Sequence, residues 1–150
     1  MSKKVVTLGE IMLRLSTPDY KRFVQADSFD VTYGGGEANV AAAICNYGLN
    51  GTFVSKVPDN AIGQSAINHL RRYGVDTRFV ARGGKRLGIY FLETGASMRA
   101  SQVIYDRSGA ACTLHELRSV EAALTITSCR CFARRVKSCV ERDCRHTKRT

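Results

Sequence analysis

The chain has 150 residues, 44% of them apolar and 24% charged, the size and composition of one globular domain, which excludes wholesale disorder and fibrous repeats. Its longest apolar run, Val40 to Cys45, is far short of the roughly 20 residues that cross a bilayer, and Met1-Ser2-Lys3-Lys4 leads into a strand-like run instead of a signal-peptide core, so a soluble, cytoplasmic protein is expected. The net charge of +10 is spread unevenly, with 14 Lys and Arg against 9 Asp and Glu in residues 1–111, and 9 against 4 in residues 112–150.

Lys3 to Gly9 is a short apolar run without alternation, as in a strand covered on both faces, and is expected to be a central parallel strand. Ile11 to Leu15 and Phe29 to Tyr33 show partial alternation and suit a smaller accessory sheet. Gly34-Gly35-Gly36 then opens a mostly buried helix over Glu37 to Tyr47, closed by Gly48. Thr52 to Val57 is a strand, and Pro58-Asp59-Asn60 supplies the turn and cap of a second helix with a stripe at Ile62, Ala66, Leu70 and Tyr73, closed by Gly74. Val75 to Val80 reads as the third strand of a parallel βαβ core with right-handed crossovers. Leu87 to Leu92 and Gln102 to Tyr105 have no helix between them and join the accessory sheet, which is expected to be mostly antiparallel and to act as a lid.

The Gly-rich turn is neither a P-loop nor a dinucleotide fingerprint, since no Gly-Lys-Ser/Thr and no G-x-G-x-x-G spacing occurs in it. Glycines before a helix permit close approach by a ligand, and the free N–H groups there attract oxygens. Asn39, one turn into an apolar helix, needs hydrogen-bond partners, from protein or from a polyhydroxyl ligand.

Gly34-Gly35-Gly36-Glu37-Ala38-Asn39-Val40-Ala41, with Leu8-Gly9-Glu10, Gly48, Gly63 and Arg72-Tyr73-Gly74-Val75-Asp76, resembles the first signature of the ribokinase-like (phosphofructokinase B type) carbohydrate kinases. Glu37, Gly88-Ile89-Tyr90 and Tyr105-Asp106-Arg107 make it most similar to the 2-keto-3-deoxygluconate kinases among them. The resemblance covers about residues 3–111. It implies an α/β fold, a partial ribokinase-like fold with a parallel βαβ core, a small β-sheet lid and an incomplete C-terminal half. It also implies phosphorylation of a sugar acid by Mg-ATP, with Gly34, Gly35 and Asn39 meeting sugar hydroxyls. Arg107 would offer a fork to the carboxylate, and Tyr90 and Tyr105 their phenol hydroxyls. Tyr90 and Tyr105 as cross-strand packing partners, and Arg107 as a solvated charge, stand as the alternatives. A homodimer through the lid is a further implication.

In the resembled family the nucleotide cradle, the metal and the catalytic Asp of a Gly-x-Gly-Asp turn come from a second half, and that string does not occur here. No catalytic residue and no metal ligand is therefore expected, and the nucleotide site is expected to be absent from this chain. In residues 112–150, Thr113 to about residue 125 suits a helix with a capping box. Beyond it, Cys129, Cys131, Cys139, Cys144 and His146 lack the usual zinc spacing, the basic cluster has no interleaved aromatics for nucleic acid, and an unexported chain disfavours disulfides. A Gly-free, Cys- and Arg-rich stretch beginning where the resemblance stops is what an out-of-frame reading of coding DNA gives. The expectation is a truncated or frameshifted, catalytically incompetent kinase, and the rival is a non-catalytic interaction protein acting through a lid dimer or the basic tail.

Overall fold

A computed structural model describes residues 4–112. The helix expected from residue 113 and the Cys-rich tail lie outside the described residues. In chain order the strands are β1 (Lys4–Leu8), β2 (Met12–Ser16), β3 (Asp30–Gly34), β4 (Asn50–Val57), β5 (Val80–Arg82), β6 (Ile89–Glu93) and β7 (Gln102–Asp106), and the helices are α1 (Gly36–Asn46) and α2 (Ala61–Arg71). They form two sheets: a parallel one in the order β1-β4-β5 and a four-stranded one in the order β3-β2-β6-β7. The fold is α/β, as the strand and helix rhythm implied, and the second sheet stands where the family resemblance implied a lid.

Several details differ from expectation. The central strand of the described parallel sheet is β4, with β1 and β5 on either side of it, because Phe53 and Val57 on one face and Val54 on the other are all fully buried, while β1 is only half-buried. The third strand starts at Val80 instead of Val75: Asp76 Oδ1 accepts from the Arg78 backbone N–H at 3.2 Å, a side-chain turn that competes with strand pairing and leaves a single bridge to Thr52. In α2 the buried face is Gly63, Ala66, Ile67 and Leu70, so the stripe is rotated and Ile62 and Tyr73 are left largely exposed. Helix α1 buries only Ala38 and Ala41, because it lies on the sheets by one narrow face, so its apolar outer residues Val40 and Tyr47 are exposed.

The punctuation of both helices follows the sequence. Asn60 Oδ1 accepts from the Gly63 N–H at 2.9 Å and caps α2, and Gly48 and Gly74 follow α1 and α2 with φ of +77° and +76°, a conformation that favours glycine. The second sheet is less antiparallel than expected, since β2 pairs with β6 in parallel while β2–β3 and β6–β7 are antiparallel. One core joins the two sheets: Ile11 and Leu87, which lead into β2 and β6, pack with Ala38, Ala41, Phe53, Ile67 and Leu70, and Leu13 and Tyr33 of the second sheet pack against them. This shared core holds the start of α1 against β2 and β6, which is what creates the site. No helix among the described residues is long and apolar enough to cross a membrane.

Candidate functional site

The turn between β3 and α1 is shaped by close backbone approach. A Cβ on Gly35 would collide with the carbonyl oxygen of Glu10, and this contact locks the turn to the β1–β2 connection; its φ of 174° is ordinary extended backbone. Gly35 also accepts the first helical hydrogen bond, from the Asn39 N–H at 2.8 Å. At Gly34 the neighbours are of another kind. A Cβ there would stand 3.0 Å from the Tyr90 hydroxyl and 3.9 Å from Asn39 Oδ1. Gly34, Asn39 five residues on and the distant Tyr90 thus converge on one small space, offering a bare backbone, an amide and a hydroxyl.

Asn39 is exposed, which corrects the expectation of an amide inside the core: α1 turns position 39 away from its narrow buried face. Its amide instead borders a cavity of about 390 Å³ that Gly34, Arg14, Thr32 and Asn46 also line. At the far end of that cavity Tyr33, His69 and Tyr73 stack in series, with ring centroids 5.6 and 5.5 Å apart. Burial pushes the His69 imidazole below its ordinary value, and the neighbouring Arg72 adds to this, both favouring the neutral ring.

Tyr90 and Tyr105 sit directly opposite one another on β6 and β7, with ring centroids 5.9 Å apart. They are therefore cross-strand partners, and this contact orients the Tyr90 ring towards Gly34. Tyr105 is 62% exposed at the sheet edge. Arg107 is not a free surface charge. Its Nε donates to Glu10 Oε2 at 2.9 Å, and its Nη2 lies 2.6 Å from the same oxygen. The pair uses one edge of the guanidinium and leaves the Arg107 side chain 55% exposed.

Glu10 was missed as a site residue by sequence reasoning, although it stands beside the glycine that ends β1. Its residue is only 8% exposed, its Oε1 is buried without a partner, and Gly88 leaves the room in which that oxygen sits. Burial pushes the Glu10 carboxyl up, Arg107 pulls it down, and the nearby Glu37 raises it again. Cys112 closes the same corner, accepting from Ser55 Oγ at 3.6 Å and donating to the Gly9 carbonyl at 3.5 Å; burial pushes its thiol up, which favours the protonated form.

The corner has the groups to hold a polyhydroxyl ligand. Among the described residues no group of three His, Cys, Asp or Glu side chains could hold a metal ion.

Comparison with known proteins assigns the family. The pattern of the pfkB family carbohydrate kinases matches residues 2–137. The chain belongs to that family. The match runs past Ala111, where the residue-by-residue resemblance was expected to stop. The 2-dehydro-3-deoxygalactonokinase of Haloferax volcanii is 38% identical over 113 residues, covering 75% of this chain and 36% of that protein. The crystal structure of 2-dehydro-3-deoxygluconokinase from Thermotoga maritima superposes with a TM-score of 0.72 at 59% identity, covering 75% of this chain and 36% of the other. A sugar kinase of Pyrococcus horikoshii, solved in complex with ATP, shares the fold at 24% identity and a TM-score of 0.66, covering 74% of this chain and 37% of its own. This pfkB-family chain therefore spans about a third of the length of the relatives it matches.

Proposed function

We propose that this chain carries the sugar-binding part of a 2-keto-3-deoxygluconate kinase. The observation that carries the reading is the convergence of the Tyr90 hydroxyl and the Asn39 amide on Gly34, beside a guanidinium held in place by a buried carboxylate. Asn39 and Tyr90 would bind hydroxyls of the sugar acid. The edge of Arg107 not taken by Glu10 would meet its carboxylate, with Tyr105 closing the open side. The names of the relatives from Thermotoga and Haloferax support an aldonic substrate with a keto and a deoxy carbon.

In this reading the phosphate donor is ATP with its magnesium, held by parts of a longer kinase. On this proposal the 150 residues bind the sugar acid and do not transfer phosphate, because the Gly-x-Gly-Asp string that carries the catalytic base in the resembled family does not occur in the sequence. The test is calorimetric titration of the chain with 2-keto-3-deoxygluconate, alongside a phosphotransfer assay with Mg-ATP. Saturable binding that Asn39→Ala abolishes, without turnover, is expected. No binding overturns the sugar site, and turnover above a buffer blank that Asn39→Ala abolishes overturns the catalytic part.

A second reading rests on the second sheet. Val31 and Ile104 fall in one registered row with Leu15 and Phe91, and both are more than half exposed. Such a row suits a homodimer formed through the lid, detectable as a concentration-dependent mass that Ile104→Lys abolishes.

A further inference from the structure

Arg14 was not singled out from the sequence, and the established family does not by itself give it a role. It lies on β2, paired in register with Thr32 on β3 and with Tyr90 on β6, which in turn pairs with Tyr105 on β7. Directly paired residues point to the same face of a sheet, and neighbouring strands are about 4.8 Å apart. Thr32, Arg14, Tyr90 and Tyr105 therefore form one row across the second sheet, on the face opposite the Leu13 and Tyr33 side chains that enter the core. Arg14 and Thr32 also line the cavity bordered by Gly34 and Asn39.

Two atoms in that row are left unanswered. Arg14 Nε and Thr32 Oγ1 are both buried and have no hydrogen-bond partner. A buried guanidinium donor without an acceptor costs more than an ordinary lost hydrogen bond, because its desolvation is not offset. No carboxylate pairs with Arg14 among the described residues. The other charges of the corner make this informative: Glu10 neutralises Arg107, and Glu37 adds a further negative charge beside them. Without Arg14 the corner is net negative, and a carboxylate ligand would be repelled.

We infer that Arg14 is a specificity-determining residue of the sugar site, whose guanidinium donates to the oxygens of an anionic polyhydroxyl ligand held between Asn39 and Tyr90. This rests on the sugar-acid reading above and adds to it the source of the site's positive charge. Thr32 then supplies the second missing hydrogen bond, and the cavity selects small acids over neutral sugars of the same shape. Arg107, screened by Glu10, orients the ligand, and Arg14 sets the preference for charge.

The experiment compares equilibrium binding of 2-keto-3-deoxygluconate and its uncharged methyl ester to the full chain and to Arg14→Met, which keeps the apolar stem. Arg14→Gln, which keeps a donor but loses the charge, is measured beside it, and ligand-free melting identifies any variant that fails to fold. A loss of about tenfold or more for the acid, with less than about threefold for the ester, is expected in whichever variants fold. If the wild-type chain binds the acid and the variants bind it equally well, or lose both ligands alike, the inference about Arg14 falls and the sugar-acid reading stands. If the wild-type chain binds neither ligand, that reading falls and this inference with it.

Discussion

The two sheets share one core but are held together by different forces. In the parallel sheet, β4 buries Phe53 and Val57 on the face covered by α1 and α2 and Val54 on the other. In the second sheet, burial is partial along β2 and β6, β7 is exposed, and ion pairs do much of the joining: Glu93 with Arg99, Arg86 with Asp106, Glu10 with Arg107. Apolar burial is non-directional and gives a rigid platform, whereas charged pairs are directional and hold side chains at chosen angles. The molecule places its site where the two meet, so the platform fixes α1 and the charged sheet supplies the donors.

The sharpest way to break that contrast is to empty each region in turn. Phe53→Ala should cost about 3–5 kcal/mol by removing the largest fully buried side chain of β4, whereas Val103→Ala on the exposed strand β7 should stay within about 0.5 kcal/mol. Equal shifts in urea midpoint would show that the two regions share one stability.

Glu93 tests the charged sheet. It is buried, pairs with Arg99, and accepts from the Phe23 N–H at 2.9 Å. Glu93→Gln should lower stability by about 1.5–3 kcal/mol, since a charge-assisted contact in a dry position is lost. A cost below a few tenths would mean that packing alone joins β6 to the 3-10 turn beginning at Phe23.

Gly35 probes the junction. Gly35→Ala forces its Cβ against the Glu10 carbonyl, so a cost of about 1–3 kcal/mol is expected, together with weaker sugar binding because the turn moves relative to Glu10 and Tyr90. Gly36→Ala meets nothing within 4 Å and serves as the control. Similar effects at both positions would mean that the close approach is not what fixes the turn.

The smallest effect is electrostatic and lies on the parallel sheet. Hydrogen bonds from Arg78, and a weaker one from Lys4, hold the Asp76 carboxyl well below the usual carboxylate range against the opposing effect of burial. The stability it contributes is present above the ordinary value of 3.8 and is lost as pH falls through and below it. Because its partners are exposed to solvent, Asp76→Asn should cost only about 1 kcal/mol at pH 7 and flatten the acid limb of a melting-temperature profile. An unchanged acid limb would exclude Asp76 as the group that titrates.

The α/β rhythm, the Asn60 cap and the glycines that end both helices were legible because each depends on local chemistry within a few residues. Gly34, Asn39, Tyr90, Tyr105 and Arg107 entered as site candidates through the family resemblance, and that Gly34, Asn39 and Tyr90 stand close together is visible only in the structure. Arg14 carried only a weak signal, the Leu13-Arg14-Leu15 alternation that turns a cation away from the core. Glu10 had none, since a carboxylate after a strand looks like any loop charge until Arg107, distant in the chain, closes on it.

By itself, then, the sequence determined the two kinds of strand, the helix ends and the glycine turn, all set by backbone preferences and apolar period over short stretches. Only the tertiary structure decided that β4 and not β1 is the central strand of the described sheet, that Asn39 faces a cavity, and that Arg107 is neutralised while Arg14 is not. Those outcomes depend on which distant strands pair and in what register: a one-residue slip of β2 alone would send Arg14 to the other face.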